Sequence, residues 1–212
     1  WDQGRTTVEI GTGGRSREED AEGRCAVREA VGPDVTIMLD ANNAWVDAHS
    51  AARALKRLEP YNPYWIEEPV RPDSFKASAD LRKMTPIPVA TGEVENTRWG
   101  FQLLKDYDAA DIWQPDVGVV GGITEWMRVA AMASAADIKV CPHYWWDIHV
   151  HLACAVDNAL FLEYFPTDLI VNFDKVLVEK LPVVNGMLTP PDRPGIGWQL
   201  DEDKVAQYRH TM

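Results

Sequence analysis

Six side chains capable of acid, base or metal chemistry recur along the sequence at nearly even intervals: Asp40, Glu67, Glu93, Asp116, His143 and Glu163. The gaps between them are 27, 26, 23, 27 and 20 residues. Each falls at or just past the end of a short β-branched or aromatic run. One βα unit of a ~250-residue eight-fold barrel takes about 30 residues, so the spacing puts one polar residue per unit at a common height. In a closed parallel barrel those strand ends converge on one mouth, the end where such barrels build their sites. Three carboxylates gathered there raise one another's pKa unless a cation lies among them. Asp40, Glu67 and Glu93 offer only oxygen, which suits Mg²⁺ with positions left for water and substrate, and no sulfur or imidazole favours zinc. Asp116 and His143 make a different pair, because a carboxylate beside an imidazole fixes its tautomer and raises its basicity, as a proton-transfer residue requires. Glu163, one unit later, is positioned to share a hydrogen bond with the far side of a bound carboxylate.

The elements that must carry these residues alternate. Strand candidates are Thr6–Ile10, Val35–Asp40, Tyr64–Glu67, Ile87–Glu93, Ile112–Asp116, Ile138–His143 and Leu160–Glu163. Between them run amphipathic stretches with apolar residues at helical spacing, such as Ala51, Leu55 and Leu58, or Trp126, Val129, Ala130 and Met132. Strands alternating with helices predict a parallel α/β sheet. Asp47, Thr97 and Thr124 with Glu125 are candidate helix caps. After Glu163 the sequence turns irregular and proline-rich, with Pro166, Pro182, Pro190, Pro191 and Pro194. The expected division is therefore a partial β/α barrel over 1–165 and a closing segment over 166–212. Because Trp1 rather than Met opens the chain almost directly on a strand, a piece of a longer polypeptide is expected.

Bulk properties narrow the partners. The 212 residues are 46% hydrophobic and carry a formal charge of −12, enough for one sizeable core but repulsive to phosphate backbones and anionic lipid. Neither nucleic acid nor a membrane surface is an expected partner, and no apolar run approaches the ~20 residues of a membrane span. An acidic small-molecule substrate would need a local positive charge to hold it, such as a metal ion. Cys25, Cys141 and Cys154 are odd in number and widely spaced, which favours a reducing compartment, the cytoplasm.

Each assignment has a plainer rival. A lone Asp at a strand end is usually a turn or cap, so Asp40 counts only through the recurrence. Glu67 is preferred over Glu68, which is expected to point away from the metal and pair with a cation; Gly92 favours Glu93 over Glu95. Asp147, His149 and His151 resemble a zinc set, but helical spacing makes the two imidazoles diverge, and His149 is expected to cap or to line a pocket edge. Trp145 and Trp146 are expected to line a substrate pocket. Gly118, Gly121 and Gly122 match no phosphate-loop fingerprint.

The segments Leu39-Asp40-Ala41-Asn42-Asn43-Ala44-Trp45, Trp65-Ile66-Glu67-Glu68-Pro69, Thr91-Gly92-Glu93, Gln114-Pro115-Asp116 with Gly121-Gly122, Pro142-His143 and Leu162-Glu163-Tyr164 resemble, in order and spacing, the motifs of the mandelate racemase and muconate lactonizing branch of the enolase superfamily. The resemblance implies a (β/α)7β barrel of TIM type, here lacking the N-terminal capping domain and first barrel strand. It also implies Asp40, Glu67 and Glu93 as Mg²⁺ ligands, Asp116 and His143 as a catalytic dyad, Glu163 facing the substrate carboxylate, and assembly as a homo-oligomer. The implied chemistry is abstraction of the proton α to a carboxylate, with the metal stabilising an enediolate. Members with a Lys-x-Lys pair on the second barrel strand would place it, in an ungapped match, at Glu9 and Gly11. Two-base racemisation lacks its second base here, so dehydration of a sugar acid to a 2-keto-3-deoxy acid is expected. The alternatives are a racemase, epimerase or cycloisomerase with Glu9 as second acid/base, and a truncated noncatalytic barrel.

Overall fold

The computed structural model describes residues 6–13, 26–166 and 173–209. Strands β1 (Thr7–Gly11), β2 (Thr36–Asp40), β3 (Pro63–Glu67), β4 (Val89–Thr91), β5 (Ile112–Trp113) and β6 (Lys139–Val140) lie side by side in sequence order, all parallel. The connections are helices: α1 (26–31), α2 (Ala48–Leu58), α3 (Phe75–Arg82), α4 (Thr97–Asp106), α5 (Val117–Val120) with α6 (Ile123–Ser134), and α7 (Trp146–Cys154) after β6. Register aligns the strand ends: Gly11 sits opposite Asp40, Asp40 opposite Glu67, and Thr91 opposite Trp113. Among the described residues the ladder runs from β1 to β6 without joining its edges.

The expected seventh strand, Leu160–Glu163, does not form. A single parallel bridge joins Val140 to Ala159, and Leu160 N donates to Val140 O at 3.0 Å. The chain then leaves the ladder because Phe161 turns its ring onto Tyr64 and Trp65, with centroids 5.6 and 5.9 Å away. Strands β4, β5 and β6 also stop short of their expected ends. Gly92, at φ +132°, breaks the first, and Pro115 and Pro142 offer no N–H to extend the other two.

Alternation along the strands divides the core. Met38, Trp65, Ala90, Ile112 and Cys141 pack together on one side of the sheet. On the other side Ile37, Leu39, Ile66 and Val89 meet Ala51, Leu55 and Leu81 of α2 and α3, while Trp113 and Val140 meet Phe101, Trp126, Val129 and Leu152. Full burial of such side chains contributes roughly 1.5–3 kcal/mol each. The Arg28 guanidinium bonds the carbonyls of Gly32, Val35 and Tyr61, tying α1, the start of β2 and the turn after α2 together. No helix among the described residues is long and apolar enough to cross a membrane.

Asp47 caps α2 as expected, in a box closed by Ser50. Of the other two expected caps, Thr97 bonds the first turn of its helix from one residue inside the start, and Thr124 does not cap. Helix α4 begins after Asn96, whose side chain makes no cap bond; Thr97 Oγ1 accepts from Trp99 N at 3.4 Å, and the Arg98 N–H donates to Glu125 Oε1 at 3.0 Å. Helix α6 begins after Gly122, also uncapped. Beyond residue 166 the chain is more regular than expected. A 3₁₀ turn at Phe173–Val176 is followed by two isolated antiparallel bridges and helix α8 (Glu202–Tyr208), which Asp201 caps.

Candidate active site

Asp40 and Glu67 are the last residues of β2 and β3, Glu93 lies two residues past β4, and His143 lies three past β6. These four, with Glu163, line one cavity of about 920 Å³. Glu93 depends on Gly92: a Cβ there would stand 2.7 Å from the Phe101 ring and 3.2 Å from Gln114 N, so only glycine permits the turn. Asp116 is buried behind His143, as the cap of α5. Its two oxygens divide the work, Oδ1 accepting from Gly118 N at 2.6 Å and Oδ2 accepting from His143 Nδ1 at 2.8 Å. The second imidazole nitrogen, Nε2, stands 3.5 Å from Glu93 Oε2. Burial disfavours the imidazolium, but the Asp116 bond and the charges of Glu163 and Glu93 outweigh it and lift His143 to about 9.

The carboxylates around the cavity are crowded. Burial first, then the charges of Glu9, Glu163 and Asp40, hold Glu67 well above the usual carboxylate range. Burial likewise raises Asp40 and pushes Glu163 up to about 7. Glu163 Oε2 accepts from Tyr144 N, and Gln114 Nε2 donates to Glu67 Oε2. Among the described residues no Lys or Arg lines this cavity. Acids forced upward together, with no Lys or Arg beside them, offer hard oxygens that suit a small divalent cation. The side chains do not yet stand as a ligand set: among the described residues no three His, Cys, Asp or Glu side chains are grouped closely enough to hold an ion.

Several neighbours differ from expectation. Glu68 has no cation partner among the described residues; it is 1% exposed and accepts from Asn43 Nδ2 at 2.7 Å, and burial pushes it up to about 7. A backbone φ of +38° turns it off the line of β3 and into that loop. Neither Trp145 nor Trp146 lines the cavity: Trp145 covers Gly118, and Trp146 is buried among Tyr144, Tyr164 and Phe165. Glu95 packs over Gly100, leaving Glu93 as the cavity residue.

His149 is buried and neutral, accepting from Val117 N at 3.1 Å and donating to Tyr144 O at 2.8 Å, while burial lowers it to about 4. His151 turns away to Ile196 O, so the two imidazoles do diverge. Gln114 and Glu9 are the residues whose position the sequence left least defined. Glu9 lines the cavity from β1 and accepts from Trp65 Nε1 at 3.0 Å; burial raises it. Cys141 and Cys154 are free thiols, and Cys25 lies outside the described residues.

A family model described as "Enolase C-terminal domain-like" matches residues 1–204. A D-galactarolactone cycloisomerase of Agrobacterium fabrum is 34% identical over 205 residues, which is 91% of this chain and 54% of that protein. An arabinonate dehydratase of Saccharolobus solfataricus is 34% identical over 208 residues, 95% of this chain and 55% of its own length. The crystal structure of an L-talarate dehydratase from Polaromonas sp., complexed with Mg and L-glucarate, superposes with a TM-score of 0.88 at 31% identity, covering 97% of this chain and 56% of that one. The chain spans about half the length of the curated relatives it matches.

Proposed function

The chain belongs to the enolase C-terminal domain-like family, and from that premise we propose that it carries the catalytic half of a Mg²⁺-dependent enzyme that removes the proton α to a carboxylate. The favoured reaction is dehydration of a sugar acid to a 2-keto-3-deoxy acid. The observation that carries it is the His143–Asp116 pair: a buried carboxylate 2.8 Å from Nδ1 leaves Nε2 turned toward the same cavity as the carboxylates of β2, β3 and Glu93. Asp40, Glu67 and Glu93 would hold Mg²⁺. When bound, the ion would supply the positive charge that a carboxylate needs as it takes on enediolate character.

The residues of the chain account for the proton steps. Nε2 of His143 takes the α-proton, and the C–H electron pair passes into the carboxylate. As those electrons return to form the Cα–Cβ double bond, the β-hydroxyl leaves with the proton from His143, as water. The resulting enol tautomerises to the keto acid. An imidazole held near 9 is protonated at neutral pH, so it acts as a base only when the charge on Glu93 and its neighbours is offset. Glu163, at about 7, holds a proton near neutrality and can donate it in a hydrogen bond to the substrate carboxylate.

A second reading, cycloisomerisation or epimerisation, is favoured by Glu9, which reaches the cavity from β1 and would act as a second acid/base. The test is a panel of acid sugars with Mg²⁺, scored by semicarbazide for keto acids and by NMR for solvent deuterium at Cα. Keto acid supports dehydration. Deuterium without keto acid supports the second reading. Neither signal across the panel, in the chain joined to any partner segment it requires, would leave a noncatalytic barrel.

A further inference from the structure

Past their last paired residues, Asp40 and Glu67, strands β2 and β3 stay joined through the loops that follow them. Ala41 N donates to Glu67 O at 2.9 Å, Asn43 N to Glu68 O at 2.7 Å, and Asn43 Nδ2 to Glu68 Oε2 at 2.7 Å. The third bond is made by side chains, so it belongs to these two residue types and not to the backbone path. Asn42, Asn43 and Glu68 hold φ at +43°, +63° and +38°. Side chains other than glycine adopt that region seldom, and keep it only where their surroundings over-determine them. The same loop aims a carboxylate, because Asn42 N donates to Asp40 Oδ1 at 2.7 Å.

Glu68 is buried close enough to Asp40 and Glu93 to feel both charges, yet it is no part of the cavity wall. Its Oε1 and the Oδ1 of Asn43 are buried without a hydrogen-bond partner among the described residues. A buried carboxyl with half its capacity unmet destabilises a fold relative to an apolar side chain of like size, so packing gives no reason to place one here. Its location behind the cavity acids gives one. Asn43 governs the loop that directs Asp40, Glu68 follows Glu67 directly, and one bond ties the two. We infer that Asn43 and Glu68 are positioning residues, whose bond sets the spacing of Asp40 and Glu67 and through it the affinity of the site for Mg²⁺. The inference rests on Asp40, Glu67 and Glu93 being the ligands. Partners of this kind, which touch neither ion nor substrate, orient the ligands that do.

The test is calorimetric titration of Mg²⁺ into the wild type and three variants that separate the bond from the charge. Glu68→Gln removes the charge and keeps the bond, since its amide oxygen accepts from Asn43 Nδ2 and its NH₂ donates to the unpaired Asn43 Oδ1. Glu68→Leu removes both. Asn43→Gly, whose backbone suits φ +63°, keeps the charge and removes the bond. Glu68→Gln should bind within about threefold of the wild type, while Glu68→Leu and Asn43→Gly should each bind at least about tenfold more weakly. If Glu68 acted through its charge alone, Glu68→Gln would weaken binding as much as Glu68→Leu, and Asn43→Gly would bind as the wild type does. Either result overturns the inference while leaving the ligands in place. Should Asn43→Gly fail to fold, the contrast between Gln and Leu at position 68 decides. A wild type that gives no heat with Mg²⁺ sinks the ligand assignment itself, and this inference with it.

Discussion

Replacing Asp116 by Asn changes one atom of the pair that gives His143 its role, and the consequences can be worked through atom by atom. In the native chain Oδ1 accepts from Gly118 N and Oδ2 accepts from His143 Nδ1. Asn has a single acceptor oxygen. The start of α5 retains it, because Asn caps as well as Asp, and the NH₂ group is left facing the ring. Nδ1 must then accept, so the ring proton moves to Nε2 and the nitrogen turned toward the cavity loses its lone pair. A unit charge is lost as well, and at 4 Å with an effective dielectric near 20 such a charge is worth about 4 kcal/mol before competing solvation. The side chain of His143 is 27% exposed, and Glu163 and Glu93 still act on it, so a smaller fall of roughly 1–2 units from about 9 is expected.

The stability change has a definite sign. A His whose folded pKa is raised contributes stability that is complete below 6.5 and vanishes as pH climbs through about 9. The whole lift is worth at most about 3 kcal/mol. Asp116→Asn should therefore cost stability at pH 6 and rejoin the wild type above about pH 9. Imidazole ¹⁵N NMR reads both the pKa and the tautomer. A His143 pKa within about 0.5 of the wild type, or a proton still on Nδ1, would refute the reasoning, since losing a charge this close must shift it further.

Three further outcomes are expected. Glu67→Gln removes a buried acid held well above its usual range, whose ionisation destabilises the fold increasingly as pH rises past 4.5; the variant should melt higher than wild type at pH 8 without metal and gain nothing from Mg²⁺, and a lower melt would contradict the crowding described here. His149→Phe leaves Val117 N and Tyr144 O unpaired and should cost about 2–4 kcal/mol in urea at pH 7. The native His149 contribution is complete above 6.5 and falls away as pH drops through about 4, so variant and wild type should converge in acid. Gly92→Ala combines a φ of +132° with a Cβ 2.7 Å from Phe101, and a loss under about 1 kcal/mol by thermal melt would mean the turn is not glycine-dependent.

Periodicity made the parallel order and the positions of Asp40, Glu67, Glu93 and His143 legible, because strand spacing survives even where strand length does not. What stayed hidden depended on local backbone geometry. Glu68 leaves the strand line at φ +38°, and no residue-type signal announces a left-handed Glu. Trp145, at φ +32°, also departs from the regular path, so the two tryptophans after His143 pack against Gly118 and the aromatic cluster rather than into the cavity. The failure of the seventh strand came from a competition that pattern cannot weigh: Phe161 finds Tyr64 and Trp65, and ring packing outweighs continued pairing. Helix α8 carries an ordinary start signal, Asp201 followed by Glu202 and Asp203, which the prolines before it obscure.

The acidic lining of the cavity sets an order of events. Glu9, Asp40, Glu67, Glu93 and Glu163 present carboxyl oxygens to a space with no Lys or Arg among its described walls and His143 as its one basic side chain, so a divalent cation meets a trap and an incoming organic acid is better held once that cation is bound. Saturation by substrate should consequently be contingent on prior occupancy by the ion. A kinetic study would meet this as compulsory-order binding, with the apparent affinity for the acid tracking free Mg²⁺ and weakening when a chelator is added.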